Sequence, residues 1–132
     1  MEGTLIERLL KAPAGKYVEV VPELCLITDE LGHKVIELVD PARGISKASK
    51  PVVILDHDIP AGSFESAFNQ KKLIDFSRAN DLEFIQSAGI GYQIVLDQFA
   101  KKGDVVCSCG KHNSFLGANG ILGLALDPAS MA

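Results

Sequence analysis

The chain has 132 residues, of which 47% are hydrophobic and 23% charged, the balance of a globular domain with a hydrophobic core and not of a disordered segment. A formal net charge of -4, with the lysines spread along the chain, gives no electrostatic footprint for nucleic acid and no basic patch for a membrane. Three cysteines are too few for a secreted disulfide framework, and no stretch reads as a membrane span or signal peptide, so a single cytoplasmic domain over residues 1–132 with reduced thiols is expected.

Residues 4–11 are predicted helical, with Leu5, Ile6, Leu9 and Leu10 at helical spacing, and "APAGK" then breaks the pattern. Residues 17–21 and 24–28 are apolar, β-prone runs around Pro22 and are read as strands. Asp29 is placed to cap a helix running to about Val39, although Gly32 weakens it. "DPARGISKASK" reads as a loop, and "PVVILD" as a central parallel strand buried on both faces. Residues 66–79 form a helix with Phe68, Leu73, Ile74 and Phe76 on its inner side. Residues 82–86 are a short strand, and "AGIGYQIVLDQFAKK" a glycine-rich turn opening a helix. Residues 104–109 are a further strand, followed by a helix over 115–126 with one small-residue edge. This alternation predicts an α/β fold, a three-layer α/β/α architecture with a mainly parallel sheet.

In such sheets ligands sit beyond the carboxyl ends of the strands. Asp29, the Asp56–His57 pair, Gly89 to Tyr92, and Lys111 with His112 each follow a predicted strand, so polar or glycine-rich segments should share one edge. A carboxylate beside an imidazole raises its pKa and orients it, which makes a protonated histidine available as a general acid. The bland alternative is a strand-end aspartate capping a turn beside a surface histidine.

"VVCSCGKHNSFLGANG", residues 105–120, admits three readings. Cys107, Cys109 and His112, with Cys25, are zinc-type ligands, but structural sites favour C-x-x-C spacing, and alternation along a strand makes burial of the thiols the better account; no metal is assigned. Gly117, Gly120 and Gly123 match neither phosphate-loop pattern and suit close packing of a helix. The third reading is an active-site loop.

"PVVILDHDIP" followed by "SAGIGYQIVLDQFAKKGDVVCSCGKHNSFLGANGILGLAL" resembles the aconitase and 3-isopropylmalate dehydratase large-subunit family in order and spacing. "GTLIERLLKAPAGK" is similar to that family's opening helix and "LITDELGHK" to its segment with an aspartate after a strand. The resemblance covers nearly the whole chain and the first part of the family's first domain. It implies that Asp56 and His57 match the active-site Asp-His that helps protonate the departing hydroxyl. Tyr92 stands where the family carries a histidine before Gln93. Gly110, Lys111, His112 and Asn113 align with the family's D-S-H-T loop, of which only the histidine is kept. Asp29 matches an aspartate near the substrate pocket, while a threonine usual two positions later is Leu31 here.

The function implied is dehydration and rehydration of a small hydroxy-polycarboxylate, a di- or tricarboxylate, with Asp56, His57 and His112 catalytic and Asp29, Tyr92, Lys111 and Asn113 at substrate-binding positions. The family's three cluster-ligating cysteines are expected beyond "LALDPASMA", and Cys25, Cys107 and Cys109 do not match them. A 4Fe–4S cluster is therefore expected only in a complete assembly with other dehydratase subunits or copies of the chain, and none on this chain alone. The rival expectation is a catalytically degenerate module that binds a carboxylate or a partner protein, which the changed polar positions favour.

Overall fold

A computed structural model of the chain describes residues 3–132. Helix α1 spans Leu5–Leu10 and opens with a capping box, in which Thr4 and Glu7 satisfy each other's backbone N–H groups. Its apolar residues lie at the surface, with Leu5 and Ile6 about half exposed. Residues 17–21 are irregular, and Tyr17 is fully exposed. The strand expected there does not form, because β-propensity acts only where a neighbouring strand and a face to bury are present.

The five strands are β1 (Leu24–Thr28), β2 (Lys50–Leu55), β3 (Glu83–Gln86), β4 (Val105–Ser108) and β5 (Leu122–Ala125). All their pairings are parallel, in the order β3-β2-β1-β4-β5. The chain winds outward from β1 to β3, then crosses back to place β4 on the other side of β1. That makes the β1/β4 boundary the switch point, where a doubly wound sheet opens a crevice at its carboxyl edge.

Alternate residues of each strand feed two cores. On one face Ile27, Val53 and Leu55 pack with Leu73, and Ile36, Ile74 and Met131 close in from α2 (Gly32–Leu38), α3 (Phe64–Ala79) and α5 (Pro128–Met131). On the other, Leu24, Leu26, Val52, Ile54 and Val106 meet Ile94 and Val95 of α4 (Gly91–Gln98) and Leu116 of a 3-10 segment, Asn113–Asn119. Val52 to Leu55 are wholly buried, as a continuous apolar run between two helical layers requires. The three-layer α/β/α architecture with a parallel sheet stands. Among the described residues no helix is long and apolar enough to cross a membrane.

Three further expectations are corrected. Helix α3 starts at Phe64 with Ser63 as its N-cap, and Phe68 is exposed, stacked on Phe64 at 6.4 Å between centroids. Its buried face is carried by Gln70, Leu73 and Ser77. Asp29 does not cap α2: the N-cap is Leu31, without a side-chain bond. Gly32 is required at that junction, since a Cβ there would lie 2.6 Å from Ile27 Cγ2. Finally, residues 115–126 are not one helix. Gly120, at φ 72°, ends the 3-10 segment, and Gly123 lies in β5 where a Cβ would come 2.0 Å from the Asn113 carbonyl oxygen. The glycine spacing serves a turn and a close strand, not a helix edge.

Candidate functional site

Immediately after β1, the Asp29 carboxylate turns across the sheet edge to the loop leaving β2. Its Oδ1 accepts the backbone N–H groups of Asp56 at 3.2 Å and His57 at 3.1 Å, and its Oδ2 accepts that of Asp58 at 3.1 Å. Gln70 of α3 holds the same loop by donating to the Asp58 carbonyl at 2.7 Å. Burial opposes the charge on Asp29, but the three N–H donors outweigh it and hold its carboxyl below the usual aspartate range.

Asp56 is fixed from the opposite side. Its Oδ2 accepts the N–H of Gly91, the first residue of α4, at 2.6 Å. A Cβ on Gly91 would sit 2.8 Å from that oxygen, so the glycine is what lets the helix start reach it. The other oxygen, Oδ1, lies 2.6 Å from His57 Nδ1, and Asp29 Oδ1 lies 3.3 Å from the same nitrogen. Both carboxylate side chains are 4% exposed while the imidazole is 34% exposed. The remaining ring nitrogen, Nε2, is 3.6 Å from Glu30 Oε2. Burial disfavours a charged ring, yet Asp56, then Asp29 and Glu30, overcome it and raise the His57 pKa above its ordinary 6.5.

His57 and Asp56 line an open cavity of about 440 Å³ together with Tyr92 and His112. Gln93 and Ser114, each next to or near an expected residue, also line it and were not anticipated. Asp29 opens instead on a neighbouring depression, with His57 between the two and Glu30, Asn69 and Gln70 on its wall. Asp29, Asp56, His57, Tyr92 and His112 thus converge on one edge. Tyr92 is buried, and its hydroxyl points inward to lie 3.3 Å from Ser108 Oγ. Burial first of all pushes its pKa up. Lys111 is exposed and outside the cavity lining, and Asn113 is fully buried. The Asn113 amide donates to the Val106 and Leu124 carbonyls, both at 2.8 Å, and so fastens β4 to β5.

Asp29, Asp56 and His57 could present ligand atoms within 4.8 Å of one another to a cation. Their atoms are already engaged, however: three carboxylate oxygens on four backbone N–H groups and the fourth, Asp56 Oδ1, on Nδ1. A cation would have to displace the Nδ1 proton, so the arrangement suits an imidazolium. The three cysteines do not fit a 4Fe–4S cluster. Cys25 and Cys107 lie within adjacent strands with their sulfurs 3.1 Å apart, leaving no room for shared iron.

The fold and site together define a doubly wound parallel α/β protein with a carboxylate-held imidazole at its carboxyl edge. The chain is similar to the large subunit of 3-isopropylmalate dehydratase from Pyrococcus horikoshii, 28% identical over 130 residues, 98% of this chain and 34% of that protein. The same subunit from Caldivirga maquilingensis is 27% identical over 139 residues, again 98% of this chain and 34% of that protein. Mitochondrial homoaconitase from Cryptococcus neoformans var. neoformans is 28% identical over 120 residues, 89% of this chain and 16% of that protein. These relatives are hydro-lyases of the aconitase family, so the resemblance carried by the sequence motifs holds over nearly the whole chain. The chain spans about a third of the length of the dehydratase subunits and about a sixth of the homoaconitase. No protein-family model matches it.

Proposed function

We propose that the chain is a hydro-lyase-type unit corresponding to the first part of the first domain in the aconitase family, acting on a small hydroxy-polycarboxylate. The observation that carries this reading is the His57 Nδ1 held 2.6 Å from Asp56 Oδ1 beside a cavity shared with His112. In it, protonated His57 gives its Nε2 proton to the departing hydroxyl, while Asp56 steadies the charged ring. His112 and Lys111 attract the substrate carboxylates, and Asp29 keeps the loop bearing Asp56 and His57 in place. In this reading the setting is cytoplasmic.

Charge and rate both argue for other subunits or further copies of the chain. Asp29, Asp56 and Glu30 offset His57, so the attraction for a di- or tricarboxylate rests on His112 and Lys111 and is weak. A positioned general acid contributes about 10²–10⁴-fold, well short of a full enzymatic acceleration. The catalytic base and any 4Fe–4S cluster belong in this reading to the complete assembly, not to Cys25, Cys107 and Cys109.

A second reading, a catalytically degenerate module that binds a carboxylate or a partner protein, is favoured by two placements. The Tyr92 hydroxyl points into the protein, and the Asn113 amide is occupied by β4 and β5. Calorimetric titration with citrate and isopropylmalate at about pH 6 and pH 8, beside a spectrophotometric dehydratase assay, separates the readings. The enzyme-subunit reading expects weak binding that fades at the higher pH, and turnover only with added subunits. Robust turnover by the chain alone would overturn the shared-site argument, and no binding at either pH would favour the partner-protein module.

A further inference from the structure

Away from the His57 edge, Cys25 of β1 and Cys107 of β4 are direct partners across the parallel pair that forms the switch point of the sheet. Both are reduced, and their sulfurs are 3.1 Å apart. Paired strands run about 4.8 Å apart, inside the roughly 4.4–6.8 Å Cα separation that a disulfide tolerates. The two thiols differ in access. Cys107 is buried, whereas Cys25 is half-buried and lines a cavity of about 120 Å³ with Ser46, Ser49, Phe76 and Met131. At about 30 Å³ per water, that space admits a small oxidant.

We propose that Cys25 is a peroxide-sensitive modification site whose product is a Cys25–Cys107 disulfide. The Cys25 thiolate attacks one peroxide oxygen, so that an S–O bond forms and the O–O bond breaks. Hydroxide leaves and is protonated to water, and Cys25, oxidised by two electrons, becomes a sulfenic acid. The Cys107 sulfur then attacks the Cys25 sulfur: the S–S bond forms, the S–O bond breaks, and a second water departs with the Cys107 proton. One peroxide is reduced to two waters as two thiols become one disulfide.

The hydrogen-bonding fits this order of attack. The thiol–thiol hydrogen bond with Cys107 lowers the Cys25 pKa against its burial, and Ser49 adds to the effect. The same contact and burial push Cys107 up, so Cys25 reacts first, and Cys107 is the resolving partner because its sulfur lies 3.1 Å away. Cys109, raised to about 11 by burial and then by Asp127, is a poor nucleophile.

The test uses the full reduced chain and hydrogen peroxide, with peptide mapping under non-reducing conditions. The expected product has lost two hydrogens across Cys25 and Cys107 and keeps Cys109 alkylatable. Cys107→Ser should leave a sulfenic acid on Cys25 that dimedone traps, while Cys25→Ser should leave Cys107 unmodified. A readout that needs no variant is iodoacetamide labelling at about pH 7. Cys25, lowered by its thiol partner, should label several-fold faster than Cys109, which burial holds up. Equal or faster labelling of Cys109, a disulfide involving Cys109, or a sulfinic acid on Cys25 with Cys107 left free would overturn the proposal.

Discussion

Tyr92 and Gly110 compete for one space: a Cβ on Gly110 would lie 1.8 Å from the Tyr92 hydroxyl oxygen and 3.1 Å from its Cζ. Tyr92 comes from the start of α4 and Gly110 from the turn after β4, so the contact packs those two elements together. The resemblance implies that these are also two positions at which the chain departs from that family, a tyrosine for histidine and a glycine for aspartate. The two changes interlock, because a long side chain at 92 leaves no room for any at 110.

Gly110→Ala should therefore destabilise the fold by roughly 1–3 kcal/mol through overpacking. Tyr92→Phe alone removes the bond to Ser108 and should cost about 1 kcal/mol. Combined, the two should cost less than their sum, with a coupling above about 0.5 kcal/mol in a urea-unfolding double-mutant cycle. Strict additivity would show that the hydroxyl does not fill the space above Gly110.

The His57 ring should titrate above 6.5 when followed by NMR, and Asp56→Asn should bring its midpoint down. Because the folded pKa is raised, the associated stability is fully present below about the ordinary value of 6.5 and is lost as pH rises through the folded value. Urea midpoints should decline across that window in the unchanged protein, and His57→Gln should flatten the decline. A His57 midpoint at or below 6.5 would remove the basis for a charged ring at the cavity.

Asn113→Ala leaves the Val106 and Leu124 carbonyls without their donor and should cost roughly 2–4 kcal/mol. Lys111→Ala, at an exposed position, should stay within about 0.5 kcal/mol. Thermal melts of the two variants check the contrast, and an unchanged melting temperature for Asn113→Ala would contradict its role between β4 and β5.

Chain of residues 1–132, purified anaerobically, should contain no stoichiometric iron or sulfide, since Cys25 and Cys107 lie sulfur to sulfur inside the sheet. Colorimetric iron and sulfide determination decides this. A brown protein with about four irons per chain would mean that the cysteines rearrange around a cluster.

Local pattern was enough to establish the layered parallel fold and the address of the site. "PVVILD" is apolar without alternation because helices cover both faces of β2, and this shows in the run itself. Asp29, Asp56, His57 and His112 follow strands, and strand ends in such a sheet face one edge, so their convergence was also legible. Only the tertiary structure decided what those groups bond to. Asp29 clamps the β2 loop instead of capping α2, Tyr92 points inward over a missing side chain, Asn113 joins two strands, and Cys25 meets a thiol 82 positions away. Residues 17–21 lack a strand despite their composition, and 115–126 divide into a 3-10 segment and β5 despite theirs. Periodicity reports which face of a segment is apolar. Which neighbour arrives to satisfy its backbone and polar groups depends on chain far away in sequence, and that is settled only when the sheet closes.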